Sequence, residues 1–114
     1  MDDANNVLKE CEEFGTEAMA IAADVSEDIS CRKTVEETVK KWGRIDALVN
    51  NAGTTKFVFN HADLDGLDAE DFLHIYKVNV VGPFQMVRAC KDMLLKSDNP
   101  SAVSYTHLTL PTTD

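Results

Sequence analysis

Two stretches of the chain carry apolar residues at helical spacing, with charged residues between them. Residues 3–14 form the first stretch, which Gly15 follows, and the second starts near Ser26 and stops at Gly43. This pattern is typical of amphipathic helices, and glycine commonly ends a helix. The apolar stripe of the second helix consists of Cys31, Val35, Val39 and Trp42.

Two compact apolar runs predict buried strands. Residues 17–25 form the first run, with Asp24 near its end, and residues 45–49 form the second, which stops in Asn50-Asn51-Ala52-Gly53. An apolar run covered on both faces is typical of a parallel strand between helices. Two strands flanked by amphipathic helices predict an α/β sheet.

A polar loop at 54–67 precedes a long predicted helix over residues 68–96. Its acids do not have the spacing of a calcium loop, and Asp68 with Asp71 predicts a capped helix start instead. The apolar stripe of this helix contains Phe72, Tyr76, Pro83, Met86, Cys90 and Met93, and Asn79 lies within it.

Asn79 is an amide in an apolar stripe, so a polar group must meet it. Pro83 has no N–H and its ring pushes on the carbonyl four residues back, which belongs to Asn79. Two interpretations are open. One is a kink with a satisfied core amide, and the other is a polar position whose free carbonyl holds a water or a catalytic side chain.

Composition narrows the class of protein. The chain has 114 residues, enough for one domain, and a net charge of −9, which disfavours nucleic acids and anionic membranes as partners. No apolar run could span a membrane, and the N-terminus does not read as a signal peptide. Cys11, Cys31 and Cys90 form no C-x-x-C pair, which favours reduced thiols in a cytoplasmic protein, and no cysteine–histidine set predicts a metal.

Three motifs in this order and spacing resemble the short-chain dehydrogenase/reductase family: Ala23-Asp24-Val25, Asn50-Asn51-Ala52-Gly53, and Val78-Asn79-Val80-Val81-Gly82-Pro83-Phe84. The resemblance covers about residues 3–103. It implies a Rossmann-like doubly wound parallel sheet, with residues 1–103 as its middle portion only. It also implies an NAD(P)-dependent oxidoreductase that transfers a hydride between nicotinamide and an alcohol or ketone, such as a 3-oxoacyl thioester or a sugar.

The resemblance assigns roles to six residues. Asp24 would meet the adenine amino group, and Val25 would pack against the adenine. Asn50, Ala52 and Gly53 would line the adenosine-side ribose and the nicotinamide end. Asn79 matches the family's catalytic asparagine, which holds a water in a proton relay to a catalytic lysine.

The chain lacks the family's glycine-rich phosphate loop, its catalytic serine and its Tyr-x-x-x-Lys pair. Four residues after Tyr105 lies Thr109, so Tyr105 is not expected to be catalytic. The choice between NAD and NADP is open. Residues 104–114 depart from the family and predict either an edge strand or, as the favoured interpretation, translated read-through.

Three hypotheses follow for the function. The first is an incomplete oxidoreductase of this family, cytoplasmic, acting on a small molecule, and forming homodimers or homotetramers through the 68–96 helix. The second is a catalytically silent α/β nucleotide-binding module, and the third is an interaction module that uses the long helix. Because the strands at 17–25 and 45–49 are not neighbours in the family's strand order, the chain alone is predicted to fold poorly and to be inactive.

Overall fold

The computed structural model describes residues 2–105. The elements in chain order are α1 (Asp2–Glu13), α2 (Asp28–Trp42), β1 (Ala47–Asn50), α3 (Ala69–Tyr76), a π turn (Lys77–Val81), α4 (Gly82–Leu95) and β2 (Ser101–Ser104). The first two predicted helices are therefore confirmed. Gly43 ends α2 in the left-handed conformation, with φ of 73°, where a side chain would be strained.

The two strands pair in parallel, with Ala47 opposite Ser101 and Asn50 opposite Ser104. The Tyr105 N–H extends this pairing by donating to the Asn50 carbonyl at 2.7 Å. Parallel pairing requires a crossover, which α3, the π turn and α4 supply between the strands. The predicted α/β class is thus confirmed, and the carboxyl end of β1 lies at Asn50.

A small core holds α2, α4 and β1 together. Val35, Cys90 and Leu94 are buried at its centre, and partly buried apolar side chains pack around them: Val39, Ile45, Leu48, Met86 and Ala89. The opposite face of β1 is open in the described chain, where Val49 is 65% exposed. The prediction that this strand is covered on both faces is therefore wrong for residues 2–105, because the helices that pack on β1 cover a single face.

The predicted strand at 17–25 has no regular secondary structure and no strand pairing in the described chain. A strand is stabilised by hydrogen bonds to a neighbouring strand, and the described sheet consists of β1 and β2 alone. The segment turns at Val25–Ser26, and α2 begins at Asp28 after Glu27 rather than at Ser26. Side chains of α2 and α4 hold this segment in place, as described below.

The predicted helix start at Asp68 is confirmed. The Asp68 side chain accepts a hydrogen bond from the Asp71 N–H at 3.0 Å, and the Asp71 carboxylate accepts one from the Asp68 N–H at 3.0 Å. This reciprocal pair is a capping box. Lys56 also donates to Asp71 at 2.8 Å and so ties the 54–67 loop to α3.

The single helix predicted over 68–96 is interrupted by the π turn. The Gly82 N–H donates to the carbonyl of Lys77, five residues back, instead of to the residue four back. Pro83 then lies in the first turn of α4, and it has no N–H to donate to the carbonyl of Asn79, four residues back. The π turn accommodates the proline without a break in the helical path.

The π turn also rotates the apolar stripe, so the prediction of one continuous stripe from Phe72 to Met93 is wrong. Phe72 and Tyr76 are exposed in α3, whereas Cys90 is buried in α4. A π turn holds one residue more than an α turn, which shifts the face that follows it. Gln85, outside the predicted stripe, is accordingly buried.

The remaining predictions concern the chain ends and membranes. β2 includes both residue 103 and residue 104, so it crosses the boundary predicted between the domain and the tail. Residues 106–114 of the predicted tail, including Thr109, lie outside the described residues. Among the helices of residues 2–105, none combines the length and the apolar character that a membrane span requires.

Candidate functional site

Three segments converge beyond the carboxyl end of β1: the turn at Asp24–Val25, the loop that leaves Asn50, and the start of the helical run at Asn79–Gly82. In open α/β sheets, this edge is where ligands bind. The contacts among the three segments, given below, bring together most of the residues that the sequence singled out.

Asn79 is joined to the loop after β1 by two hydrogen bonds. Its Oδ1 accepts from the Thr54 N–H at 2.8 Å, and its Nδ2 donates to the Thr54 carbonyl at 2.9 Å. A Cβ built on Gly53 would lie 3.6 Å from this Oδ1, an ordinary contact distance. The side-chain amide is thus bonded to the N–H and the carbonyl of one residue, and it fixes Thr54 against the π turn.

Val25 is held by α2 and α4 together. Its carbonyl accepts hydrogen bonds from Gln85 Nε2 at 2.7 Å and from Cys31 Sγ at 3.4 Å. Its side chain packs on Gly82, where a Cβ would lie 2.8 Å from Val25 Cγ2. Such a contact is too close for any side chain, so the glycine lets α4 approach the turn.

Asp24 presents an exposed carboxylate at the same turn. Its Oδ1 accepts from both the hydroxyl of Ser26 at 2.6 Å and the Ser26 N–H at 3.0 Å, while Ser30 Oγ accepts from the Asp24 N–H at 2.8 Å. The bonds from Ser26 hold the pKa of Asp24 below its usual value, so the group is ionised at neutral pH. Oδ2 makes no hydrogen bond within residues 2–105.

Asn50 carries a buried donor. The residue is 8% exposed, and its Nδ2 has no hydrogen-bond partner among the described residues. A buried amide without a hydrogen-bond partner is unfavourable, so this nitrogen is suited to donate a hydrogen bond to an acceptor of a ligand at this edge of β1. Ala52 and Gly53 follow it, exposed and small enough to let a ligand approach the backbone.

Sequence reasoning missed Thr54, Gly82 and Gln85 as parts of this arrangement. Thr54 takes part through its peptide unit, which no side-chain pattern reveals. Gly82 lay inside the recognised motif but had no assigned role. Gln85 carried a usable signal, because a single amide stands between apolar residues in α4 and has to bond when buried.

Metal binding and thiol chemistry are two other functions that the described part of the chain could carry. No three His, Cys, Asp or Glu side chains of residues 2–105 converge as a metal site would require. Cys31 and Cys90 are buried free thiols, and burial raises the pKa of each. They are therefore poor nucleophiles at neutral pH.

The whole-chain comparison decides the family. The family model described as short chain dehydrogenase matches residues 1–106. The chain belongs to this family. Relatives include the 3-oxoacyl-[acyl-carrier-protein] reductase FabG of Thermotoga maritima, 30% identical over 103 residues and matched over 90% of this chain and 40% of its own length. Sepiapterin reductase of Chlorobaculum tepidum is 33% identical over 87 residues, which are 76% of this chain and 34% of that protein.

Solved structures of short-chain dehydrogenases have the same fold. A short chain dehydrogenase from Burkholderia cenocepacia in complex with NADP matches with a TM-score of 0.76 and 30% identity, over 90% of this chain and 40% of that one. A dehydrogenase/reductase from Sinorhizobium meliloti matches with a TM-score of 0.79 and 29% identity, over 90% and 38%. The recognised family and the partial Rossmann fold are thereby confirmed.

The chain is short relative to the family. It spans between 28% and 40% of the length of eight curated relatives that it matches.

Proposed function

We propose that the whole protein containing this chain is an NAD(P)-dependent oxidoreductase that transfers a hydride between nicotinamide and an alcohol or ketone. Residues 1–103 form the central portion of its dinucleotide-binding domain, a proposal supported by the share of the relatives' length that the chain spans. The observation that carries the functional proposal is the pair of hydrogen bonds between the Asn79 side chain and the Thr54 backbone. This pair of bonds supports the proposal because it joins the family-matching asparagine to the loop that leaves β1.

The residues at this edge fit a dinucleotide. Asp24 Oδ2, ionised and without a hydrogen bond in the described chain, is suited to accept from the adenine amino group, and Val25 would pack beside the ring. Asn50, with its unpaired Nδ2, and the small residues Ala52 and Gly53 would line the ribose and nicotinamide end. NADP as the cofactor is supported by the Burkholderia cenocepacia complex.

Bound NAD(P) would supply the hydride chemistry. Asn79 would contribute through its backbone, because Thr54 already occupies both polar atoms of its side chain. Pro83, four residues on, has no N–H to donate to the Asn79 carbonyl. We assign to that oxygen the role of holding a water through which a proton reaches the reacting carbonyl of the substrate. The side chain then fixes the position of this oxygen.

The test measures reduction of a ketone panel, including a 3-oxoacyl thioester, with NADH and NADPH. The thioester is chosen because one relative is a 3-oxoacyl-[acyl-carrier-protein] reductase. In Asn79→Leu we expect kcat to fall by about 10²-fold or more, with cofactor affinity changed far less. Asn99→Leu is the matched control at an exposed loop position. Full activity in Asn79→Leu would refute the role of Asn79, and no turnover in the wild-type protein would refute the proposed activity.

The protein is further proposed to act in the cytoplasm as a homodimer or homotetramer that associates through the 68–96 helical run. Supporting this, the apolar side chains of Tyr76, Val80, Phe84 and Val87 are exposed along the run. Large apolar patches of this kind mark interfaces. Val87→Glu should dissociate the oligomer in analytical ultracentrifugation, whereas an unchanged mass would rule out this surface.

A further inference from the structure

Side chains of α2 and of α4 contact the turn at Asp24–Val25. Three hydrogen bonds and one packing contact hold it: Ser30 Oγ accepts from the Asp24 N–H, Gln85 Nε2 and Cys31 Sγ donate to the Val25 carbonyl, and the Val25 side chain packs on Gly82.

The bond from Gln85 is the shortest of those that reach the Val25 carbonyl, at 2.7 Å, and it joins residues 60 apart in sequence. Gln85 is buried in α4, with 8% of the residue exposed. The amide is favourable at this buried position because its Nε2 pairs with the Val25 carbonyl.

We propose that Gln85 is a positioning residue for the adenosine end of the cofactor site. It holds the Val25 carbonyl and so aims the Asp24 carboxylate and the Val25 side chain at the adenine. The inference rests on the proposed NAD(P)-dependent function and goes beyond the family motif, which stops at Phe84.

Gln85 also links the two ends of the site. It lies six residues after Asn79 on the continuous helical run formed by the π turn and α4. That run contacts the Asp24–Val25 turn through Gln85 and Gly82, and the loop after β1 through Asn79. One rigid element therefore sets the spacing between the adenine end and the nicotinamide end.

If Gln85 only stabilised the fold, its loss would weaken ligand binding at both ends of the site equally. If it positions the turn, its loss weakens binding at the adenosine end alone, and this difference makes the proposal testable. Gln85→Met keeps the length and volume of the side chain but removes the donor. Gln85→Glu keeps the shape and replaces the donor with acceptors at neutral pH. Ser30→Ala removes the bond on the α2 side of the turn, at a partly exposed position that the core does not depend on. Asp92→Asn, exposed on α4, is the control.

The experiment measures Kd by calorimetry for ADP-ribose and its 2′-phosphate, and separately for nicotinamide mononucleotide, in the whole protein. Loss of one hydrogen bond predicts an increase of about three- to tenfold in Kd for the adenosine ligands in Gln85→Met and Ser30→Ala. Kd for nicotinamide mononucleotide and kcat at saturating cofactor should stay within about twofold, a change too small to mark a lost interaction.

Equal weakening of both ligand classes, or no weakening of either, would overturn the positioning role while the proposed activity stands. If the wild-type protein bound none of these ligands and oxidised neither NADH nor NADPH, the proposed function itself would be wrong, and the role of Gln85 would fall with it.

Discussion

At the scale of single residues, Gly82 is the tightest point of the site. A methyl group there would lie 2.8 Å from Val25 Cγ2 and 3.3 Å from the Val25 carbonyl oxygen. Gly82→Ala should therefore lower the free energy of unfolding by up to about 2 kcal/mol, because an overpacking cost of about 1–3 kcal/mol is offset in part by a gain of about 1 kcal/mol in helix propensity. Chemical denaturation of the whole protein measures the change.

The double variant Gly82→Ala with Val25→Ala supplies the control for this prediction. Val25→Ala alone removes packing, but in the double variant it also makes room for the new methyl group. The two changes should therefore destabilise the protein less together than the sum of their separate effects. Strict additivity would mean that the contact between Gly82 and Val25 does not limit packing.

The residues of the site differ in how far the sequence could reveal them. Asn79 could be found because an amide in an apolar stripe demands a partner. Its partner, the Thr54 peptide, lies 25 residues away and could not be found, since backbone groups leave no trace in composition. Gln85 was hidden by the π turn, which brought it to the buried face that a regular helix would have given to its neighbours.

At the scale of elements, the capping box of α3 is a local feature that can be tested by itself. Asp68 accepts from the Asp71 N–H, which would otherwise have no helical acceptor. Asp68→Ala should destabilise the protein by about 0.5–2 kcal/mol in urea denaturation, whereas Asp68→Ser should retain most of the stability. Equal losses in both variants would show that the charge of Asp68, rather than its cap, stabilises α3.

The contact between α2 and α4 should depend on pH. The Asp28 carboxylate accepts hydrogen bonds from Arg32 Nε at 2.8 Å and from Arg88 at 2.9 Å. These bonds hold the pKa of Asp28 below its usual value, and the bond from Arg32 has the larger effect. A carboxylate with a lowered folded-state pKa stabilises the fold above its unfolded pKa of about 3.9, and this contribution is lost as the pH falls through the folded value.

The stability difference between wild type and Asp28→Asn should therefore shrink as the pH falls from 7 to 3. Urea denaturation across this range measures it, with Asp92→Asn as the control, a residue that forms no ion pair within residues 2–105. A difference that stays constant down to pH 3 would mean that the ionised carboxylate contributes nothing to the contact between the helices.

Helices with local stop signals and caps were predicted well, whereas the pairing of the 17–25 segment and the π turn were not. α2 and the start of α3 follow from their stripes, caps and terminal glycines. The run at 17–25 has the composition of a strand, but pairing depends on which chain segment lies beside it. The π turn depends on the proline that follows it and on the packing of Gly82 against Val25, which no single stretch of sequence encodes.

At the scale of the whole molecule, more large apolar side chains of the described chain are exposed than are buried in its core. The buried cluster centres on Val35, Cys90 and Leu94. Large apolar side chains are exposed in helices, in β1 and in the connecting chain, among them Phe14, Val49, Phe59, Phe84 and Leu95. α1 packs against no other described helix or strand. Surface of this kind is normally covered by further structure or by a partner.

The 114-residue chain by itself should therefore lack a cooperative folded state. The open edge and face of β1 offer unpaired backbone groups and Val49 to any neighbour, which favours aggregation. We expect the isolated chain to bind a hydrophobic dye and to lose its circular dichroism gradually on heating. NADH and NADPH should leave that profile unchanged, because a ligand stabilises only a state that binds it. A sharp calorimetric transition that either cofactor shifts upward would contradict this, and would mean that the Asn79–Thr54 and Gln85–Val25 contacts suffice to build the site.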